Sequence, residues 1–292
     1  MVKWQQRRKS DNVEDRRGAR AAGGAGLAFM LVRLIIGRFG IRGVLLLALV
    51  GGGLYVMGVN PMGLLQGSAG PQTAQPVDDE ASQFVNDIVV ETENVWTRIF
   101  AEGNSTYAPP KLIMFSGSVT SACGYASAAS GPFYCPADRQ VYLDTSFFNE
   151  LSKRFGAPGD FAAAYVIAHE VGHHIQTITG VSRQVRSAQQ RARGEAEANL
   201  YQVKMELQAD CYAGVWANRA ERTRDYLDDG DIEEGLRAAG AIGDDTLQRN
   251  AGRRITPESF THGTSAQRQR WFTAGFRTGD VSACDTFNAR NL

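Results

Sequence analysis

His169, Glu170 and His173 are the residues on which a reaction could be built. The chain has four histidines, and three of them, His169, His173 and His174, fall within six residues. Two histidines four apart on a helix project from one face, one turn above the other. Both imidazoles can then bind one zinc ion, with Glu170 beside an open coordination position. A catalytic zinc takes three protein ligands and a water. The third must come from elsewhere, and Glu206 in the run Glu206-Leu207-Gln208-Ala209-Asp210 can supply a carboxylate. Asp210, four residues on and on the same face, can accept the ring N–H of a ligating histidine, which fixes its tautomer and raises its basicity. His174 projects about 100° from His173 and so away from the metal face. The competing readings are a helix of buried structural histidines and a surface ion pair at Glu206 and Asp210. Both fit poorly with the apolar surroundings, Phe161–Ala168 and Cys211–Ala217.

These side chains need rigid elements beneath them. Phe161, Ala164, Tyr165, Ala168, Val171, Ile175 and Ile178 recur at helical spacing, which predicts a helix over 161–178. Asp160 can cap its start, and Gly180 can end it in a left-handed turn. Leu200, Val203, Leu207, Cys211 and Val215 define a buried stripe on a second helix that carries Glu206 and Asp210. Further helices are expected at about 79–101, 146–155 and 231–249. Another runs from a Thr264–Gln267 capping box to about Gly279. Residues 112–115 and 141–143 read as strands. The charged run 182–198 reads as a solvated face or a mobile connection. The fold class is therefore α+β, mostly α, with a small sheet.

Formal net charge is zero, but unevenly spread. Residues 1–42 carry ten Lys/Arg and three Asp/Glu, a net of +7, and residues 43–77 carry no charge. A basic stretch whose charged runs hold no aromatic beyond Trp4, followed by an uncharged one, points to a membrane and away from nucleic acid. Residues 43–65 are long enough to span a bilayer as one helix. A cleaved signal peptide is the competing reading, with an unusually long charged leader. The expected layout is a basic cytoplasmic segment at 1–42, a single transmembrane helix at 43–65 and a linker at 66–77. A catalytic domain at 78–292 follows, outside the cytoplasm on the inner (plasma) membrane. The apolar patch at 27–37 could lie on the inner membrane surface.

Four cysteines, Cys123, Cys135, Cys211 and Cys284, permit two disulfides in an exported domain. Cys123 and Cys135 bracket a loop or hairpin, which leaves Cys211 with Cys284. Free buried thiols are the alternative. A four-cysteine zinc site is disfavoured, because no pair has short CxxC spacing.

The runs HEVGHHIQ, ELQADCYAGVW and FTHGTSAQRQRWF, in that order, resemble the bacterial neutral zinc metallopeptidase family over roughly residues 80–290. The resemblance implies a zincin-like fold, zinc as cofactor, a peptide or protein substrate, and ligands at His169, His173 and Glu206. In zinc peptidases with this helix an edge strand beside the metal pairs with substrate, and that strand is expected within 117–127. His262 and Arg268 look like the His-and-Arg segment of membrane zincins. His262 is then either a donor to the developing oxyanion or a support for the loop before Thr264. The reading is a membrane-anchored zinc metallopeptidase with Glu170 as general base. Its rivals are a zinc hydrolase of another amide, such as a cell-wall peptide, and a zinc-stabilised binding module that does not cleave.

Overall fold

The computed structural model describes residues 2–4, 8–17, 79–153 and 155–292. The chain divides into two units, Met1–Arg16 with Pro76–Leu292, and Arg17–Gln75. The expected spanning segment 43–65, the patch 27–37 and the linker 66–77 lie outside the described residues. Among the described residues, no helix is long and apolar enough to cross a membrane.

In chain order the elements are β1 (Val13–Asp15), α1 (Glu80–Glu102), β2 (Lys111–Phe115), β3 (Ser118–Ser121), β4 (Gly124–Ser127), β5 (Phe133–Cys135), β6 (Gln140–Asp144) and α2 (Ser146–Lys153). Then come α3 (Asp160–Ile178), α4 (Val181–Gln190), α5 (Glu195–Arg224), α6 (Asp231–Ala241), α7 (Asp244–Asn250) and α8 (Ser265–Thr278). The architecture is mostly helical α+β with a small sheet, as the periodicities predict. The charged run 182–198 is ordered into α4 and the first turn of α5, with Val185 as the one buried position of α4. The single helix expected at 231–249 is two, broken at Ile242-Gly243.

The main sheet runs β1-β2-β6-β5. β1, β2 and β6 are parallel, and β5 is antiparallel to β6 with Tyr134 opposite Val141. β2 is buried on both faces, which is why Leu112-Ile113-Met114-Phe115 is an unbroken apolar run rather than an alternating one. Leu112 and Met114 join the helical core, while Ile113 and Phe115 pack with Val119, Cys135 and Tyr142.

β1 corrects the expected domain boundary. Val13 pairs with Leu112 and Asp15 with Met114. Glu93 of α1, almost fully buried, accepts hydrogen bonds from Arg8 (2.5 Å), Ser10 (2.5 Å) and Asn12 (2.8 Å). Val2 is buried, and its N–H donates to Asp160 at the start of α3 (3.1 Å). The folded unit therefore includes residues 2–4 and 8–16 as well as residues from 79 on. A strand cannot hydrogen-bond across a bilayer. Residues 8–16 thus lie on the same side of any membrane as the domain, which corrects the expectation of a separate cytoplasmic segment at 1–42.

Both expected disulfides form, Cys123–Cys135 and Cys211–Cys284, with Cα atoms 5.8 and 5.5 Å apart.

Candidate metal centre

α3 is buried nearly all round, because the sheet, α5 and α6 cover it. Gly159 precedes it, so Asp160 is its first residue rather than its cap. Gly180 adopts the expected left-handed conformation, with φ of 87°. Gly172, inside the histidine motif, faces Ala209 of α5. A Cβ there would sit 3.1 Å from the Ala209 Cα, so the absence of a side chain lets the two helices approach. That approach brings Glu206 over the two histidines. On the far side of α5 a Cβ on Gly275 would lie 2.0 Å from the Cys211 carbonyl oxygen, so α8 also packs at backbone contact. This delivers Arg268 to Asp210.

One Glu206 oxygen lies 3.2 Å from His169 Nε2 and 3.3 Å from His173 Nε2. A candidate ligand atom from each of the three residues lies within 4.8 Å of the others. Two ligand atoms on a tetrahedral zinc, at bond lengths of about 2.0–2.1 Å, stand about 3.3–3.4 Å apart. The spacing therefore fits that ion.

The hydrogen bonds behind the imidazoles make the same point. Asp210, with no exposed surface, accepts from His169 Nδ1 (2.8 Å), Tyr165 Oη (2.5 Å), Arg268 Nε (2.8 Å) and Arg268 Nη2 (2.9 Å). Burial pushes its carboxyl up, but Arg268 and His169 outweigh that and hold it down to about 2. An ionised carboxylate only accepts, so the proton sits on His169 Nδ1 and Nε2 is turned to Glu206. His173 Nδ1 donates to Gln176 Oε1 (2.9 Å). Gln176 is fixed by its own donation to the Met205 carbonyl (2.7 Å) and to Gln208 Oε1 (3.1 Å).

Burial alone would lower His169, but Asp210 and Glu206 raise it to about 10. Burial would likewise raise Glu206, yet the imidazoles hold it well below the carboxylate range. The pocket thus demands positive charge between the histidines and Glu206.

Glu170 is buried beside this trio, and burial raises its carboxyl above the usual range. The same cleft, about 420 Å³, is lined by Glu170, His262, Arg268 and residues 130–134. The strand beside the site is therefore β5, at the sheet edge, and the expectation of 117–127 is corrected. That stretch forms the separate β3–β4 hairpin. His174 is structural, as its direction implies. Its Nε2 donates to the Ala108 carbonyl (2.7 Å), and its Nδ1 accepts from Tyr134 Oη (3.2 Å), which ties β5 to α3.

His262 reaches the cleft from the loop before α8. Asp244 Oδ2 accepts from three successive backbone N–H groups, Thr261 (2.7 Å), His262 (2.6 Å) and Gly263 (3.0 Å). Asp244 Oδ1 lies 3.3 Å from His262 Nδ1, and this contact raises the imidazole above its ordinary value. Sequence reasoning missed Asp244, Tyr165 and Gln176 as parts of the site. Gln176 had a signal, since it stands three residues beyond His173 on one helix face. Asp244 had none.

With this geometry in place, the comparison with known proteins is direct. Residues 2–287 match the family described as "Putative neutral zinc metallopeptidase". The chain belongs to this family. It is 46% identical over 291 residues to "Uncharacterized protein YpfJ" of Escherichia coli (strain K12), covering 98% of this chain and 99% of that one. It is 45% identical over 223 residues to "Uncharacterized protein Rv2575" of Mycobacterium tuberculosis (strain H37Rv), covering 73% and 74% respectively. No solved structure matches it.

Proposed function

We propose that the chain is a zinc-dependent endopeptidase of zincin-like build, with His169, His173 and Glu206 as ligands and Glu170 as general base. The observation that carries this reading is the convergence of two imidazole Nε2 atoms on one carboxylate oxygen, beside a further buried glutamate in an open cleft. Zinc held there supplies Lewis acidity, which polarises a carbonyl and lowers the pKa of water to about 7. Glu170 takes the proton of the attacking water and delivers it to the leaving amine, a task suited to a carboxyl raised by burial. His262, favoured in its charged form by Asp244, donates to the oxygen on which negative charge develops. Asp210 and Gln176 hold the two ligating rings in the tautomer that presents Nε2. The peptide lies extended along the free edge of β5.

The domain is placed outside the cytoplasm, a reading supported by two disulfides and no free cysteine. The uncharged stretch after residue 42 would anchor it to the membrane while leaving residues 8–16 on the side of the domain.

The test is metal analysis of the full chain combined with casein or peptide cleavage, with and without a chelator. Glu170→Gln should keep near-normal zinc and lose at least ~10²-fold in activity. Glu206→Gln and His173→Ala should lose the metal itself. Full hydrolysis by Glu170→Gln refutes the mechanism. Wild type that holds zinc and cuts nothing in a broad library favours the binding module.

A further inference from the structure

Glu206 is held from two directions. Its Oε2 faces both imidazoles. Its Oε1 accepts from Gln202 Nε2 (2.9 Å), one turn earlier on α5. A carboxylate only accepts, so Gln202 must present its NH₂ to Glu206 and its carbonyl oxygen elsewhere. That oxygen accepts from Gln189 Nε2 of α4 (3.3 Å), and the same NH₂ reaches the Ala198 carbonyl (3.4 Å). Gln189, Gln202 and Glu206 thus form a one-way chain of hydrogen bonds from α4 to the metal centre. All three line a recess of about 250 Å³ beside His173. Local chemistry puts α4 there. Gly180 turns the chain in the left-handed region, the Thr177 and Ser182 hydroxyls bond across the turn (3.1 Å), and Val185 is buried. A hydrogen-bonded pair four apart on a solvated helix face contributes little. This pair differs, because its acceptor is almost fully buried and its donor is fixed from a second helix.

Resting on the peptidase reading, we propose that Gln202 is a positioning residue for the metal ligand Glu206, and that Gln189 of α4 sets its direction. The tether turns Oε1 away and leaves Oε2 as the single oxygen on the side of the imidazoles. Without the tether the carboxylate can rotate, and part of the free energy of metal binding is then spent on fixing it. The charged run 182–198, which reads as a solvated face or a mobile connection, is on this account a part of the metal centre. Its effect on the metal runs through one side chain, Gln189, and therefore depends on Gln202.

The experiment reads zinc affinity of the full chain by competition with a chromophoric chelator, which needs no turnover. Gln202→Leu removes the donor at similar volume, and Gln189→Leu removes only the group behind it. Gln190→Leu, exposed at the next position of α4, is the control. Gln202→Leu should bind zinc roughly 10–100-fold more weakly. Gln189→Leu should lose less, and Gln190→Leu nothing. In the double variant the Gln189 change should add nothing to Gln202→Leu, because the two act in series. Metal-free Gln202→Leu should keep the wild-type urea midpoint, which a merely structural role would lower. Wild-type zinc affinity in Gln202→Leu, with the metal lost in Glu206→Gln, overturns the tether and leaves the metal centre standing. An equal loss in Gln190→Leu, full additivity in the double variant, or a metal-free midpoint that falls along with the affinity also overturns it. Zinc retained at wild-type affinity by Glu206→Gln overturns the ligand assignment, and the tether with it.

Discussion

Replacing Asp210 with asparagine looks mild from sequence, a loss of ring support worth roughly 10–100-fold in metal affinity. The structure makes it severe. Asp210 is fully buried and receives four hydrogen bonds, two of them from Arg268, which is itself about 1% exposed. Asparagine keeps the shape but leaves that guanidinium buried without a counter-charge. Its NH₂ would also face groups that now only donate. Breaking a buried ion pair from one side costs about 3–5 kcal/mol. The depressed carboxyl offers an independent scale. Moving from an ordinary 3.8 to about 2 contributes roughly 2 kcal/mol at neutral pH, present above the unfolded value and lost as pH falls through the folded one. Either figure is a large share of a total near 5–15 kcal/mol. Urea unfolding of chelator-treated protein isolates this effect from metal binding. Asp210→Asn should unfold at least ~2 kcal/mol below wild type, and the double variant Asp210→Asn/Arg268→Met should recover most of that loss. Zinc affinity should stay low in both, because the acceptor of the His169 ring N–H has lost its charge. An Asp210→Asn protein within ~0.5 kcal/mol of wild type would refute the claim that Arg268 depends on Asp210.

Other outcomes follow from particular contacts. Cys211→Ser/Cys284→Ser opens a loop of 73 residues and should cost about 4 kcal/mol by loop entropy, read as a lowered urea midpoint that reduced wild type reproduces. His262, raised by Asp244, should stabilise the fold fully below about 6.5 and lose that increment as pH rises through its raised value. The difference between wild type and His262→Ala in metal-free protein should therefore shrink from pH 6 to pH 9, and a difference that grows would contradict the pairing. If β1 pairs with β2 in the cell, Asp11→Cys and Ser152→Cys, both exposed, should react alike with an impermeant maleimide in intact cells. Labelling of one and protection of the other would separate the N-terminus from the domain.

The sequence alone determined the parts that depend on local periodicity. The spacing of His169 and His173 puts two imidazoles on one face because a helix repeats every 3.6 residues, wherever that helix lies. The apolar stripe from Val203 to Val215, the Thr264–Gln267 cap and the strands about Leu112 and Val141 are legible for the same reason. Leu200, assigned to that stripe, is instead nearly half exposed, because the stripe begins to be covered only at Val203. Tertiary structure decided what meets what. The Gly172–Ala209 approach, not spacing, brings Glu206 to the histidines. Packing of α8 turns Asp210 from a helper of one ring into the centre of a buried charge network. β5 rather than 117–127 borders the cleft because Cys135 and Tyr134 are held against β6 and His174. The basic start of the chain, whose composition suggested a separate segment, enters the sheet because Glu93 and Asn86 satisfy its polar groups. Such partners lie 76 to 85 residues away in sequence, and a pairing of that range leaves no periodic trace in either strand.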